Sequence, residues 1–154
     1  MTVNRALIAV AALVCALHAS SAFAQAPSCT ISTLSVSFGN YNVFSGSALN
    51  STGRVTYRCN AAAANITVSL SKGLSSTYSP RLMSKGAEVL AYNLFTDAAR
   101  TTIWGDGTSG TAIYSRANPP NNSNVNVTIY AEVPAGQDIS AGSFGDTISA
   151  TVNF

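Results

Sequence analysis

Side chains that could catalyse a reaction are few in this 154-residue sequence. Its single histidine is His18, and its six carboxylates are Glu88, Asp97, Asp106, Glu132, Asp138 and Asp146. A glycosidase needs two carboxylates that face each other across a cleft. Glu132 alternates outward from an apolar pattern, and Asp97, Asp106, Asp138 and Asp146 lie next to turns. The sequence therefore predicts solvated turn acids rather than a catalytic pair.

The first 24 residues predict a cleaved signal peptide. Arg5 supplies a positive charge, residues 6–17 form an apolar run, and Ala22-Phe23-Ala24 has the small-x-small pattern of a cleavage site. The apolar run is shorter than the roughly 20 residues that a membrane-spanning helix needs. Cleavage after Ala24 would leave one exported domain, residues 25–154, and we expect no stable membrane insertion.

The exported domain would contain no histidine, because His18 is removed with the signal peptide. Without histidine, and with Cys29 and Cys59 expected to form a disulfide, no Ser-His, Cys-His or histidine-based metal site can be built. We therefore expect a protein that is not an enzyme and that binds no cofactor and no metal.

The charge balance narrows the choice of partners. Loss of Arg5 would leave seven Lys and Arg residues against six Asp and Glu residues, which is close to neutral. Charged residues make up 9% of the sequence, far below the roughly 25% of typical soluble domains. Proteins that bind nucleic acid or membrane surfaces by electrostatics carry a clear positive excess. We therefore expect no nucleic-acid partner.

Two cysteines remain after cleavage, Cys29 and Cys59. An even number of cysteines in an exported protein indicates a disulfide, because the compartments outside the cytoplasm are oxidising. The alternative is a pair of unpaired buried thiols.

One stretch and one pair of aromatic residues could bind a ligand, but the sequence evidence for both is weak. Residues 104–110 (WGDGTSG) superficially match a phosphate-binding loop, yet they lack the lysine and the following helix. A calcium site would need more acids than the one in this loop. Tyr92 and Trp104 could line a sugar site, although packing in the core is the interpretation that we adopt for both.

The elements that would position any site are short β-strands. Alternating apolar and polar residues, separated by Gly, Pro and Asn turns, predict six main strands near residues 30, 55, 68, 92, 129 and 149. No amphipathic run is long enough for a helix, so the pattern favours an all-β sandwich. The first strand changes phase at Ser32-Thr33, which predicts a strand in two segments.

The last stretch of the chain alternates without a fault. Ile148, Ala150, Val152 and Phe154 share one face, and polar residues occupy the other. Because no strand follows this one in the sequence, its open side must be covered by an earlier segment or by another chain.

Several of these segments resemble a known family, the spore coat protein U domain. The most specific match is residues 91–107 (AYNLFTDAARTTIWGDG), and residues 38–41 (FGNY), 130–137 (YAEVPAGQ) and 145–154 support it together with Cys29 and Cys59. This domain is shared by subunits of the archaic class of bacterial chaperone-usher pili.

The resemblance implies an immunoglobulin-like sandwich that lacks its last strand. In that family a strand of a periplasmic chaperone, and later the N-terminal extension of a neighbouring pilus subunit, fills a hydrophobic groove beside the final strand. An outer-membrane usher would be a further partner. The groove would lie between the first and last strands and involve Ile31, Leu34, Val36, Ile148, Ala150, Val152 and Phe154, with the Phe154 carboxylate near a basic anchor of the chaperone.

The resemblance also implies a location and a role. The chain would pass through the periplasm to the cell surface as a structural and adhesive pilus subunit, with a part in biofilms. Only residues 25–28 would precede Cys29 after cleavage, too few for a donor strand, so we expect a tip or first-assembled subunit. The alternative is a stand-alone carbohydrate- or matrix-binding module, which would need a seventh strand, for which residues 111–115 are the candidate, beside the last one.

Overall fold

The computed structural model describes residues 26–154, so the predicted signal peptide lies outside the described residues. Eight β-strands follow one another along this range, and it contains no helix long and apolar enough to cross a membrane. The strands are β1 Cys29–Leu34, β2 Leu49–Cys59, β3 Asn65–Leu70, β4 Arg81–Lys85, β5 Glu88–Phe95, β6 Tyr114–Ala117, β7 Val125–Val133 and β8 Ala150–Asn153.

The strands form two sheets that enclose one core. The larger sheet has the order β1-β2-β7-β5-β4, the smaller has the order β6-β3-β8, and the ladders within them are antiparallel. Every second residue of the inner strands is buried, as in Val55, Tyr57 and Cys59 of β2 and Ile66, Val68 and Leu70 of β3. This period of two is what a half-buried strand requires. The fold is an all-β, immunoglobulin-like sandwich, as predicted.

The six main predicted strands are all present, and two short strands add to them. β4 (RLMSK) and β6 (YSRA) are the two additional strands. Both are four or five residues long and mix polar and apolar residues without a sustained alternation. The sequence pattern therefore does not reveal β4, and it indicates β6 only through the candidate segment 111–115, which overlaps its first two residues.

The position of β6 decides how the smaller sheet is closed. Tyr114–Ala117 pairs with β3 over residues 65–68, whereas β8 pairs with the other edge of β3. The stand-alone alternative required a closing strand near residues 111–115 beside the last strand, and the described residues contain no such pairing. β3 is the central strand of this sheet, and β8 forms one of its edges.

The first segment changes which alternate residues face inward at a later point than the sequence suggests. Cys29, Ile31 and Thr33 are paired with Cys59, Tyr57 and Val55, so they share the inner face of β2 as far as the end of the ladder. Val36 and Phe38 then pack against the core without joining that ladder. The change of phase lies after Leu34 rather than at Ser32-Thr33.

The predicted disulfide is present and joins Cys29 to Cys59. These residues are the first of β1 and the last of β2, and they lie opposite each other in the antiparallel register. The bond therefore fixes the outer strand of the larger sheet to its neighbour at one end of the ladder.

Candidate functional site

Each sheet ends in two edge strands, β1 and β4 in the larger sheet and β6 and β8 in the smaller one. Among residues 26–154, β1 pairs only with β2 and β8 pairs only with β3. An open edge exposes backbone N–H and C=O groups that a further strand could pair with. β1 and β8, one in each sheet, are the two edge strands that border a common cleft, and they lie at the first and last parts of the described chain.

A cleft of about 230 Å³ lies between the segments that continue these edges. Its walls are residues 33–36 with Phe38 on one side and residues 144–146 with Ile148 and Ala150 on the other. We call this cleft the groove. Its floor is made of core side chains that come from both sheets: Val55, Leu70, Met83, Tyr92, Leu94 and Ile129.

A second cavity of about 680 Å³ adjoins the groove. The two share Val36, Phe38, Met83 and Phe144 as lining residues, so they lie side by side along these residues. The second cavity extends between residues 36–44 and residues 139–144. Taken together, the two cavities follow the first segment well beyond the end of β1.

Lys85 holds residues 139–144 in place at the rim of the second cavity. Its ammonium donates to Ser140 Oγ and, at 2.9 Å, to the Ala141 carbonyl oxygen. It also forms an ion pair of 2.8 Å with Glu88, whose carboxylate accepts a hydrogen bond from Ser140 Oγ at 2.6 Å. The ammonium and the Ser140 hydroxyl lower the pKa of Glu88 by hydrogen bonding to its charged form.

Four of the seven residues predicted to form the groove line it. They are Leu34 and Val36 on the first wall and Ile148 and Ala150 on the last wall. Leu34 is 58% exposed and lies opposite Arg54 on the outer face of the ladder, so it contributes to the rim more than to the interior.

The other three predicted residues lie away from the cleft. Ile31 faces inward opposite Tyr57 yet is 42% exposed, Val152 is half-buried opposite Val68, and Phe154 is 54% exposed beyond the end of β8. These three residues flank the open edges at the disulfide end of the sandwich. Their part in any binding event stays a prediction.

One wall of the groove carries a carboxylate with three hydrogen bonds. Asp146 Oδ2 accepts from the Tyr92 hydroxyl at 2.6 Å, and Oδ1 accepts from the backbone N–H groups of Leu74 at 2.9 Å and Thr147 at 2.7 Å. Burial, and then the hydrogen bond with Asp146, raise the pKa of Tyr92, so its hydroxyl remains a donor at all ordinary pH values. Asp146 is half-buried and joins two elements, so the expectation of a solvated turn acid is wrong for this residue.

A fully buried arginine lies behind this carboxylate. Arg81 is 0% exposed, and its guanidinium donates to the carbonyl oxygens of Ser71 and Trp104 and to Asn93 Oδ1. Burial lowers the pKa of Arg81, while the negative charge of Asp146 opposes that shift. The guanidinium thus connects the segment after β3, β4, β5 and the turn at Trp104.

The two aromatic residues considered for a sugar site are parts of the core. Trp104 is 0% exposed and its indole N–H donates to the Val68 carbonyl oxygen at 2.8 Å. Tyr92 is buried and its ring packs edge-on against Phe38 at 6.0 Å. Within residues 26–154, no group of three or more His, Cys, Asp or Glu side chains could hold a metal ion.

Sequence reasoning missed the floor of the groove and the polar contacts of its wall. The floor residues are ordinary core positions of strands, and nothing in their spacing distinguishes them from other buried residues. Phe144 and Asp146 precede the regular alternation of the last strand. The only feature of the sequence that could have indicated this wall is the position of Asp146 between Phe144 and the last strand.

Comparison with known proteins identifies the family. The model of the Spore Coat Protein U domain matches residues 14–151 of the sequence. The chain belongs to this family. The resemblance noted in the sequence is therefore confirmed, and the match covers β1 to β7 and reaches the first residues of β8.

Two individual proteins extend this comparison. Protein U of Myxococcus xanthus is 37% identical over 68 residues, which are 44% of this chain and 35% of that protein. Among solved structures, a chain in the crystal structure of the CsuC-CsuE chaperone-tip adhesion subunit pre-assembly complex, from archaic chaperone-usher Csu pili of Acinetobacter baumannii, is similar to this chain. That match has a TM-score of 0.59 and 25% identity, and it covers 84% of this chain and 40% of that chain. This family member thus spans less than half the length of either relative.

Proposed function

We propose that this chain is a structural subunit of a chaperone-usher type surface appendage, and that a strand from another protein completes it. The observation that carries the proposal is the pair of open edges beside the groove. β6, the strand that could have closed the smaller sheet, lies on the far side of β3 from β8. An extended segment that enters the groove would find backbone groups at its edges and apolar side chains on its floor.

The chemistry of the groove specifies the kind of strand that would enter. Residues 144–150 cover about 23 Å when extended, so a segment of roughly seven residues would run along this wall. Alternate side chains of that segment would face the floor, which is formed mainly by apolar residues. An incoming strand with apolar residues at every second position matches this surface.

The proposed partners are a periplasmic pilus chaperone during assembly, an outer-membrane usher and a neighbouring subunit in the finished fibre. Family membership and the likeness to a chain of a chaperone–subunit complex support the chaperone in particular. The proposal includes export by the signal peptide, passage through the periplasm and a final position at the cell surface, with a part in adhesion.

A finer proposal concerns the position in the fibre. The segment between the predicted cleavage site and Cys29 is too short to donate a strand, and the similar chain comes from a complex that contains a tip adhesion subunit. We therefore propose a tip or first-assembled position. Antibody labelling of the assembled appendage tests this, because label along the whole shaft would exclude a tip position.

The main experiment compares residues 25–154 with the same chain carrying an alternating apolar strand, joined after Phe154 by a flexible linker. If a donor strand is required, the fusion will melt at a clearly higher temperature, and the bare chain will aggregate or melt early. A matched fusion, with polar residues at the inward positions of the added strand, should behave like the bare chain. Equal, high melting temperatures for all three proteins would instead indicate a stand-alone binding module.

A further inference from the structure

Asp146 connects the two sheets at the wall of the groove. Its carboxylate accepts hydrogen bonds from Tyr92, in β5 of the larger sheet, and from the Leu74 N–H, in the segment that follows β3 of the smaller sheet. Elsewhere the backbone of residues 104 and 105 connects the sheets, since the Trp104 N–H donates to the Leu94 carbonyl oxygen and the Leu70 N–H donates to the Gly105 carbonyl oxygen. Asp146 adds a side-chain link between the two layers where they line an open cleft.

The surroundings of this carboxylate are shaped to receive it. Gly73 lies directly against it, and a Cβ at that position would overlap both carboxylate oxygens. Gly73 also has a φ of +70°, which favours glycine over other residues. Two independent constraints, steric and conformational, thus keep residue 73 without a side chain beside Asp146.

The contacts of Asp146 fall between two backbone attachments of the last segment. On one side, Gly145 and Ser84 exchange backbone hydrogen bonds of 2.9 and 3.1 Å across the rim of the larger sheet. On the other side, the Ser71 N–H donates to the Ser149 carbonyl oxygen at 2.9 Å, and the β3–β8 ladder begins at Ala150. The segment therefore crosses from one sheet to the other at residues 146–148.

We infer that Asp146 is a positioning residue of the groove, and that its hydrogen bonds to Tyr92 and Leu74 hold the crossing segment open as a preformed wall before a strand arrives. This inference rests on the proposed function. An incoming strand would pair with that wall and fix it by its own hydrogen bonds. The contacts of Asp146 therefore matter most while the groove is empty, and less once it is filled.

Two variants separate this role from a general contribution to stability. Asp146→Asn removes the charge and weakens the acceptor, whereas Tyr92→Phe removes only the hydroxyl and keeps the ring against Phe38. Each is made in the bare chain and in the chain with the fused donor strand, and melting temperatures are compared. We expect the melting temperature to fall by about 5 °C or more in the bare chain and by less than half of that in the fusion. For a domain of this size, a shift of roughly 4 °C already corresponds to a small but measurable change in the free energy of unfolding.

Asp97→Asn is the matched control. Asp97 also accepts backbone hydrogen bonds, from Thr101 at 3.2 Å and Thr102 at 2.8 Å, but it lies in a turn away from the groove. Asp97→Asn should lower the melting temperature by the same amount with and without the donor strand. Equal losses for Asp146→Asn in the two forms would show a merely structural role and overturn the inference.

Binding kinetics give a second readout that does not depend on thermal unfolding. A synthetic peptide with alternating apolar residues should associate with Tyr92→Phe roughly tenfold more slowly than with the unmodified chain, because a smaller fraction of molecules holds the groove open. Dissociation should change little. An unchanged association rate would contradict the inference while leaving the proposed function intact, whereas failure of the unmodified chain to bind or be stabilised by any strand would overturn the proposed function itself.

Discussion

Val36 packs directly against Gly53 on the inner face of the larger sheet. A Cβ at residue 53 would lie 2.8 Å from Val36 Cγ2 and 2.8 Å from the Leu34 carbonyl oxygen. The first wall of the groove therefore approaches β2 closely only because residue 53 has no side chain.

Gly53→Ala should displace the segment that contains Leu34 and Val36. Overpacking at a buried contact costs about 1–3 kcal/mol, and urea unfolding of the donor-fused chain would measure it. Gly46→Ala is the control, since a Cβ at residue 46 would meet no atom within 4 Å and a surface change of this kind stays within about 0.5 kcal/mol. Similar unfolding midpoints for both variants would show that the segment with Leu34 and Val36 moves aside without a loss of stability.

The Cys29–Cys59 disulfide should contribute strongly to stability. It closes a loop with a sequence separation of 30 residues and secures β1, which pairs with a single neighbour among the described residues. Reduction should lower the free energy of unfolding by about 2–5 kcal/mol. Denaturant titrations with and without reductant measure this, and a Cys29→Ala, Cys59→Ala double variant should not respond to reductant. A midpoint that reductant leaves unchanged in the parent chain would contradict the prediction.

The alternation of apolar and polar residues within single strands made most of the fold predictable. Residues 147–153 alternate in burial as their sequence indicates, and β2, β3 and β7 do the same because each has one face in the core. Alternation reports which face is buried, but it does not report which strand lies alongside. The pairing of β6 with β3 therefore had to come from the structure, although it decides whether β8 has an open edge.

The groove was predictable only in part, for a related reason. Val36, Ile148 and Ala150 lie in it because they are the inward residues of the segments that border it. Asp146 and Arg81 could not be assigned, since their roles depend on partners that lie 54 and 10 residues away, Tyr92 and Ser71. Contacts at such separations follow from the crossing of the two sheets, which no local pattern encodes.

Arg81 should be among the most sensitive positions of the chain. Arg81→Met would fill a similar space but leave the carbonyl oxygens of Ser71 and Trp104 without their donor. Each buried acceptor without a partner costs about 1–3 kcal/mol, so we expect a loss of roughly 3 kcal/mol or more in urea unfolding. Arg54→Met, at an exposed position of β2, is the matched control and should change stability little. Equal effects of the two substitutions would show that the guanidinium contacts contribute nothing.

Tyr57 should make the fold sensitive to alkaline pH. The side chain is 1% exposed, and its hydroxyl has no hydrogen-bond partner of ordinary geometry among the described residues. Burial, and then the neighbouring Tyr114, raise the pKa of Tyr57 from 10.0 to about 12. Between these values the unfolded chain releases the phenol proton while the folded chain keeps it, so stability is complete below about pH 10 and falls as pH rises toward 12.

Tyr57→Phe tests this directly, because phenylalanine keeps the ring and cannot ionise. At about pH 8 the variant should be as stable as the parent or slightly more so, since the hydroxyl that it removes has no partner. At about pH 11 it should lose less stability than the parent, as measured by denaturant unfolding at both pH values. Some loss should remain, because burial also raises the pKa of Tyr92. Equal losses in parent and variant would mean that Tyr57 ionises as readily in the folded chain as in the unfolded one.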